Sequence, residues 1–158
     1  MSMKIVLARV DKRLLHATVT LNCDPFLNAD YVAVVGSEYD NDPFIVSVMQ
    51  LCLPKTMKVK ILTEEGLLDF LNQNDTSRAS TVLVIFKDLA SVRESVKRGF
   101  YVEEIQMPYP TLSVAPKNLT DYFSKEELED IDYIQEQNIR FYFQTTPFQA
   151  KDYGSFCK

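Results

Sequence analysis

The chain's one histidine, His16, stands in the run Arg9-Val10-Asp11-Lys12-Arg13-Leu14-Leu15-His16-Ala17, beside two arginines, a lysine and an aspartate. A neutral imidazole is a nucleophile near pH 7, because its unperturbed pKa is about 6.5. One ring nitrogen attacks only while the other keeps the proton, and Asp11 could accept that N–H and set the tautomer. Arg13 offers a planar fork of donors matched to a phosphoryl group and stays charged at any working pH. The backbone N–H groups from Leu14 and Leu15 to Ala17, if they open a helix, add an anion cradle. Together these residue types make a phosphohistidine site. The competing reading is a histidine that sits on the surface or is satisfied in the core.

The flanking sequence says how such a site would be held. Ile5-Val6-Leu7-Ala8 is an apolar run with the character of a short buried strand, and Thr18 to Phe26 can form a helix that Pro25 ends or bends. A loop between the carboxyl end of a strand and the next helix is where open α/β sheets place their chemistry. Further strands are expected at Tyr31–Val35, Lys58–Leu62, Thr81–Phe86, Glu103–Met107 and Ile139–Gln144. Between them lie helices. Asp42-Pro43 opens one, with Phe44, Val48, Leu51 and Cys52 at helical spacing. Thr63 caps Glu64 to Leu71, and Asp88 caps a helix to Arg98, with Leu89, Val92 and Val96 inward and Gly99 at the stop. Ser124-Lys125-Glu126-Glu127 is a capping box that opens a helix through Leu128, Ile131, Tyr133 and Ile134. Strands alternating with helices imply right-handed βαβ units and a mostly parallel sheet covered on both faces. The polar tail from Thr145 is expected to add a short edge strand.

Residues 1–158 fit one domain with a sizeable core. A net charge of −5 disfavours a nucleic-acid-binding face. No apolar run approaches a membrane span and the start Met-Ser-Met-Lys lacks signal-peptide architecture, so a cytoplasmic address is expected. Cys23, Cys52 and Cys157 are widely spaced and read as buried or incidental thiols in a reducing compartment. With one histidine and no cysteine pair, no metal site is expected. A nucleotide-binding domain would need a glycine-rich first turn, yet Gly36, Gly66, Gly99 and Gly154 lie far apart.

The run from Arg9 to His16 resembles the active-site loop of the IIB subunits in the mannose/fructose/sorbose family of the bacterial phosphoenolpyruvate-dependent sugar phosphotransferase system. That loop reads Arg-[Ile/Val]-Asp-x-Arg-Leu-[Ile/Leu]-His, and Arg9, Asp11, Arg13, Leu14 and His16 match at the right spacing. Asn41-Asp42-Pro43-Phe44 and Phe86-Lys87 also resemble the family. The resemblance implies a three-layer α/β/α fold, an open sheet of about six parallel strands plus an antiparallel edge strand. It implies a protein-N(pi)-phosphohistidine–sugar phosphotransferase that needs no cofactor, because the donor already carries an activated phosphoryl group. His16 would take that group from a phosphorylated IIA protein. It would pass it to a sugar held by the membrane IIC and IID subunits, with the chain peripheral to that transporter; a homo-oligomer is left open.

Other positions depart from the family or carry weaker expectations. Cysteine-phosphorylated IIB subunits of other sugar families carry their cysteine just after the first strand, and Cys23 lies too far along. Ala17-Thr18 replace a typical Gly-Gln, the chain has no tryptophan, and Met107-Pro108-Tyr109-Pro110 replaces a Gly-Gly turn. The alternative is therefore a divergent relative that binds partners or regulates, with little transfer of phosphate. Arg9 and Lys12 are expected as solvated charges that could guide an acidic partner. The proline-stiffened loop is expected to border the phosphorylation loop, with Tyr109 presenting contact area to partners.

Overall fold

In a computed structural model, which describes residues 3–12, 29–36, 43–51, 53–73, 80–109, 118–145 and 149–156, the apolar runs become six strands. These are β1 (Lys4–Val10), β2 (Tyr31–Val35), β3 (Lys58–Leu62), β4 (Thr81–Phe86), β5 (Glu104–Met107) and β6 (Arg140–Phe143). They form one sheet in the order β3-β2-β4-β1-β5-β6, with every neighbouring pair parallel. Four helices are described: α1 (Pro43–Leu51), α2 (Glu64–Leu71), α3 (Leu89–Lys97) and α4 (Lys125–Glu136). The helix expected over Thr18 to Phe26 lies outside the described residues, as do Asp42 and all three cysteine side chains.

The strand order decides which face each helix covers. Right-handed crossovers that step toward opposite edges of a sheet put their helices on opposite faces. The step from β2 to β3 runs toward one edge, and those from β3 through β4 and β5 to β6 run toward the other. Accordingly α2, α3 and α4 share a large core with Ala8, Val10, Val84 and Phe86, while Met49 of α1 packs with Val34, Leu83 and Ile85 on the other face. Phe86 and the β4 residues before it, back to Val82, have no exposed surface, as expected of a strand covered on both sides.

Local chemistry sets the ends. The Thr63 hydroxyl accepts from the Gly66 N–H, Asp88 accepts from Ser91, and Ser124 with Glu127 completes the capping box in both directions. Helix α3 ends in a Schellman motif: Phe100 N–H donates to Ser95 O at 2.9 Å and Gly99 N–H to Val96 O at 3.0 Å. This requires φ of +114° at Gly99 and turns Phe100 inward, edge-on to Phe86 at 5.3 Å between centroids.

Two expectations are corrected. Helix α1 buries Met49 rather than a Phe44/Leu51 stripe, leaving Phe44 71% and Leu51 87% exposed. Gln50 fixes that rotation by donating to Met57 O at 2.7 Å while accepting from Val59 N–H at 3.1 Å. On α3, Leu89 and Val92 are buried as expected and Val96 is half-buried against the same core, while Ser91 and Ser95 join them inside. Among the described residues the antiparallel edge strand shrinks to a single bridge, Phe143 to Asp152. The Asp152 carboxylate accepts from the Ser155 N–H and hydroxyl, turning the chain into the short 3-10 turn Gly154–Phe156 before a ladder can extend.

Gly99→Ala tests the α3 stop. A Cβ there meets nothing closer than Leu68 at 3.9 Å, so the cost is backbone strain at positive φ, about 1–2 kcal/mol. The melting temperature should fall by a few degrees; an unchanged melt would show that the motif contributes nothing.

Candidate functional site

Side chains alternate along a strand, and Ala8 and Val10 face the large core. Arg9 and Asp11 therefore project together from the opposite face. Asp11 extends β1 by donating its N–H to Phe86 O at 2.9 Å. Both residues are 2% exposed. The Arg9 guanidinium donates from Nε and Nη2 to Asp11 Oδ2 at 3.3 and 3.2 Å, and from Nη1 to Gln106 Oε1 at 2.7 Å and Thr145 O at 3.4 Å. Its partners thus come from the ends of three strands.

Each of those partners is held in turn. Gln106 pairs with Arg9 across β1 and β5, and its Nε2 donates to Gln144 Oε1 at 2.8 Å. Gln144 Nε2 donates to Gln149 O at 2.7 Å, and Gln149 Oε1 accepts from Thr145 N–H at 2.8 Å. Thr145 Oγ1 accepts the Tyr109 N–H at 2.9 Å, tying the loop after β5 to the same network. The segment carrying Gln149 is fastened below by Glu104, which accepts from Lys151 Nζ and the Tyr153 hydroxyl. Burial pushes the Glu104 pKa up, but those two hydrogen bonds outweigh it, so the carboxyl ends below the ordinary range. Tyr142, beneath Lys151, is pushed far up by burial and then by the Glu104 charge.

The network lies at a topological switch point. The connection from β1 leads toward β2 and that from β5 leads to β6 on the other side, so the direction of crossover reverses between these neighbouring strands. His16, Arg13, Leu14, Leu15 and Ala17 lie outside the described residues. They follow Lys12, whose side chain is 74% exposed and reaches Glu127 Oε2 at 3.6 Å. Arg9 requires correction: it is not a solvated charge, because the pair with Asp11 draws it inside. Tyr109 is half-buried, with its ring stacked on Phe143 at 5.3 Å. Burial, then the Asp152 carboxylate, raises its pKa. Sequence reasoning missed Gln106, Gln144, Thr145 and Gln149. The available signal was an amide alternating with Ile105 and Met107 in a buried strand, where only a partnered polar group is tolerated.

The fold is an open parallel α/β sheet with a buried arginine–aspartate pair at the end of its first strand. The chain belongs to the PTS system sorbose subfamily IIB component family, whose profile matches residues 5–154. It is 31% identical over 105 residues to the PTS system sorbose-specific EIIB component of Lacticaseibacillus casei, covering 66% of this chain and 63% of that protein. It is 29% identical over 103 residues to the N-acetylgalactosamine-specific phosphotransferase enzyme IIB component 2 of Escherichia coli (strain K12), covering 65% and 64%. These two alignments span less than two thirds of the relatives' own length. The IIBSor domain of the sorbose permease from Klebsiella pneumoniae shares the fold, with a TM-score of 0.78 at 19% identity over 98% of this chain and 95% of that one. Among the described residues no helix is long and apolar enough to cross a membrane.

Two measurements test the network. Arg9→Met strands a buried carboxylate and should cost about 3–5 kcal/mol in urea unfolding; a loss below about 1 kcal/mol would show that Asp11 does not need the pair. Glu104→Gln should cost about 1 kcal/mol at neutral pH. Because the folded carboxyl is held below its ordinary range, that contribution is present above the unfolded value and lost as pH falls through the folded one. The variant and the parent should therefore converge in strong acid, and a pH-independent difference would contradict the charged role.

Proposed function

We propose that the chain is the phosphocarrier of a sugar phosphotransferase system, accepting a phosphoryl group on His16. What carries the proposal is the family match over residues 5–154 together with the buried Arg9–Asp11 pair at the strand end that leads into 13–17. A phosphohistidine on a IIA protein is the donor. Its nitrogen–phosphorus bond breaks as a bond forms from a neutral His16 ring nitrogen. A sugar hydroxyl then attacks the phosphorus, losing its proton and returning His16 to the free imidazole. No nucleotide is called for, because the group arrives already activated.

Roles follow from the donors available. Asp11 meets Arg9 through Oδ2, and its carboxylate is assigned to the His16 N–H. A carboxylate fixed by a buried guanidinium is a rigid orienter, which suits that task. Arg13 supplies the fork for the phosphoryl oxygens, and the N–H groups of Leu14, Leu15 and Ala17 the cradle. Residues 1–158 act as one IIB domain, cytoplasmic and peripheral to IIC and IID membrane subunits. The sugar held by those subunits is a hexose or amino sugar, the class named for the sorbose and N-acetylgalactosamine relatives.

The test is transfer from phosphorylated IIA followed by mapping of the labelled peptide. Label is expected on His16 and absent from His16→Ala; label on a cysteine, or on nothing, would overturn the reading. Arg13→Lys and Asp11→Asn should each slow transfer roughly tenfold, equivalent to about 1.4 kcal/mol of transition-state stabilisation. Wild-type rates in both variants would reduce these residues to bystanders.

A further inference from the structure

We infer that Lys87 is a second cation of the phosphoryl site, held in position by its packing over Gly36; this rests on the phosphocarrier reading above. The pairing of β1 with β4 ends at Val10 and Phe86, so the next positions outward are Asp11 and Lys87. Val10 and Phe86 both face the large core, and the alternation directs Asp11 and Lys87 to the opposite face. Neighbouring strands run about 4.8 Å apart, which starts the Lys87 backbone beside that of Asp11, the residue assigned to orient His16. Its backbone N–H is anchored on Val35 O at 3.1 Å.

The side chain is not a loose surface lysine. It is 23% exposed, and its ammonium lies 4.0 Å from Oδ2 of Asp88, whose Oδ1 caps α3 through the Ser91 N–H. Its aliphatic stem runs across Gly36 so closely that a Cβ on that glycine would stand 2.9 Å from Cδ and 3.2 Å from Cγ of Lys87. Gly36 is not in the left-handed region, where only Gly99 is found among the described glycines. The absent side chain at position 36 therefore serves the lysine stem rather than the backbone. Phosphoryl transfer spreads charge over three oxygens and is catalysed by positioned cations, so a fork from Arg13 and a point charge from Lys87 would be complementary donors.

Lys87→Met, Lys87→Arg, Gly36→Ala and the Gly36→Ala/Lys87→Met double variant decide the matter in the full chain, each checked by thermal melting. Two quantities are read: kcat and KM for transfer from phosphorylated IIA, and the affinity for inorganic phosphate followed by NMR. Lys87→Met should lower kcat at least about tenfold with KM within about twofold, and Lys87→Arg should recover most of the loss. Gly36→Ala should lower kcat alone but add nothing to Lys87→Met, because both act through the same ammonium. Phosphate affinity should fall in parallel. Wild-type kcat and phosphate affinity in Lys87→Met, or additive effects of the two substitutions, would overturn the assignment. If the wild type takes no label on His16, the phosphocarrier reading falls, and the phosphate titration still decides Lys87. Lys87-dependent affinity then keeps an anion site there, and unchanged affinity removes it.

Discussion

A guanidinium buried at the carboxyl end of β1 governs the arrangement of everything around it. Taking a charge out of water costs several kcal/mol unless it is paired and its donors are met. Arg9 meets that requirement through Asp11, Gln106 and Thr145, and the requirement then propagates. Gln106 spends its oxygen on Arg9, so its amide hydrogens need an acceptor, which Gln144 supplies. Gln144 passes the same need to the Gln149 carbonyl, Gln149 takes the Thr145 N–H, and the Thr145 carbonyl returns to Arg9. The hydrogen bonds close into a ring that locks the ends of β1, β5 and β6 against one another. The end of β1 is thereby rigid before the chain leaves the sheet.

The ring also explains why the far end of the sheet is covered as it is. A parallel sheet must be buried on both faces, yet β5 and β6 carry Glu104, Gln106, Tyr142 and Gln144 on the face away from the large core. A polar face cannot take an amphipathic helix. It takes the segment 149–156, which brings Lys151 and Tyr153 to Glu104 and tucks Phe156 against Phe141 and Phe143. Lys151 over Tyr142 and Arg140 over Tyr153 complete a cation–aromatic layer. The same segment that seals the edge carries Gln149, so edge sealing and site rigidity are one device.

Much of the architecture was legible from local signals. Three strands fall at Tyr31–Val35, Lys58–Leu62 and Thr81–Phe86 as expected, because apolar or alternating runs bounded by turns admit few other readings. Thr63, Asp88 and Ser124 cap where their side chains predict, since a cap is decided within four residues. What failed was non-local. Arg9 reads as a solvated charge until Gln106, 97 residues away, is known to face it. Gln106 and Gln144 look like incidental polar residues in weak strands until the β1–β5–β6 order places them in line. Phe44 and Leu51 have helical spacing, but Gln50 holding the strand behind the helix sets which face turns inward. Of the antiparallel strand expected after Thr145, the described residues show one bridge, Phe143 to Asp152, beside the turn that Asp152 side-chain bonds form.

Burial of Arg9 divides the cations of this strand end into two kinds. The chain carries a net charge of −5, so its long-range field does not attract an anion. Recognition of a phosphoryl group must then be local, within a Debye length of about 8 Å at physiological salt. Arg9 contributes little to that local field, because Asp11 neutralises it in place. Its effect is mechanical, holding Asp11 and the strand ends. Under the proposed function, the charge that meets a phosphoryl group is assigned to Arg13 and Lys87 rather than to Arg9. Arg9 belongs to the scaffold, and the proposed chemistry falls to Arg13. Two arginines four residues apart therefore look alike in sequence, although the strand end turns Arg9 inward.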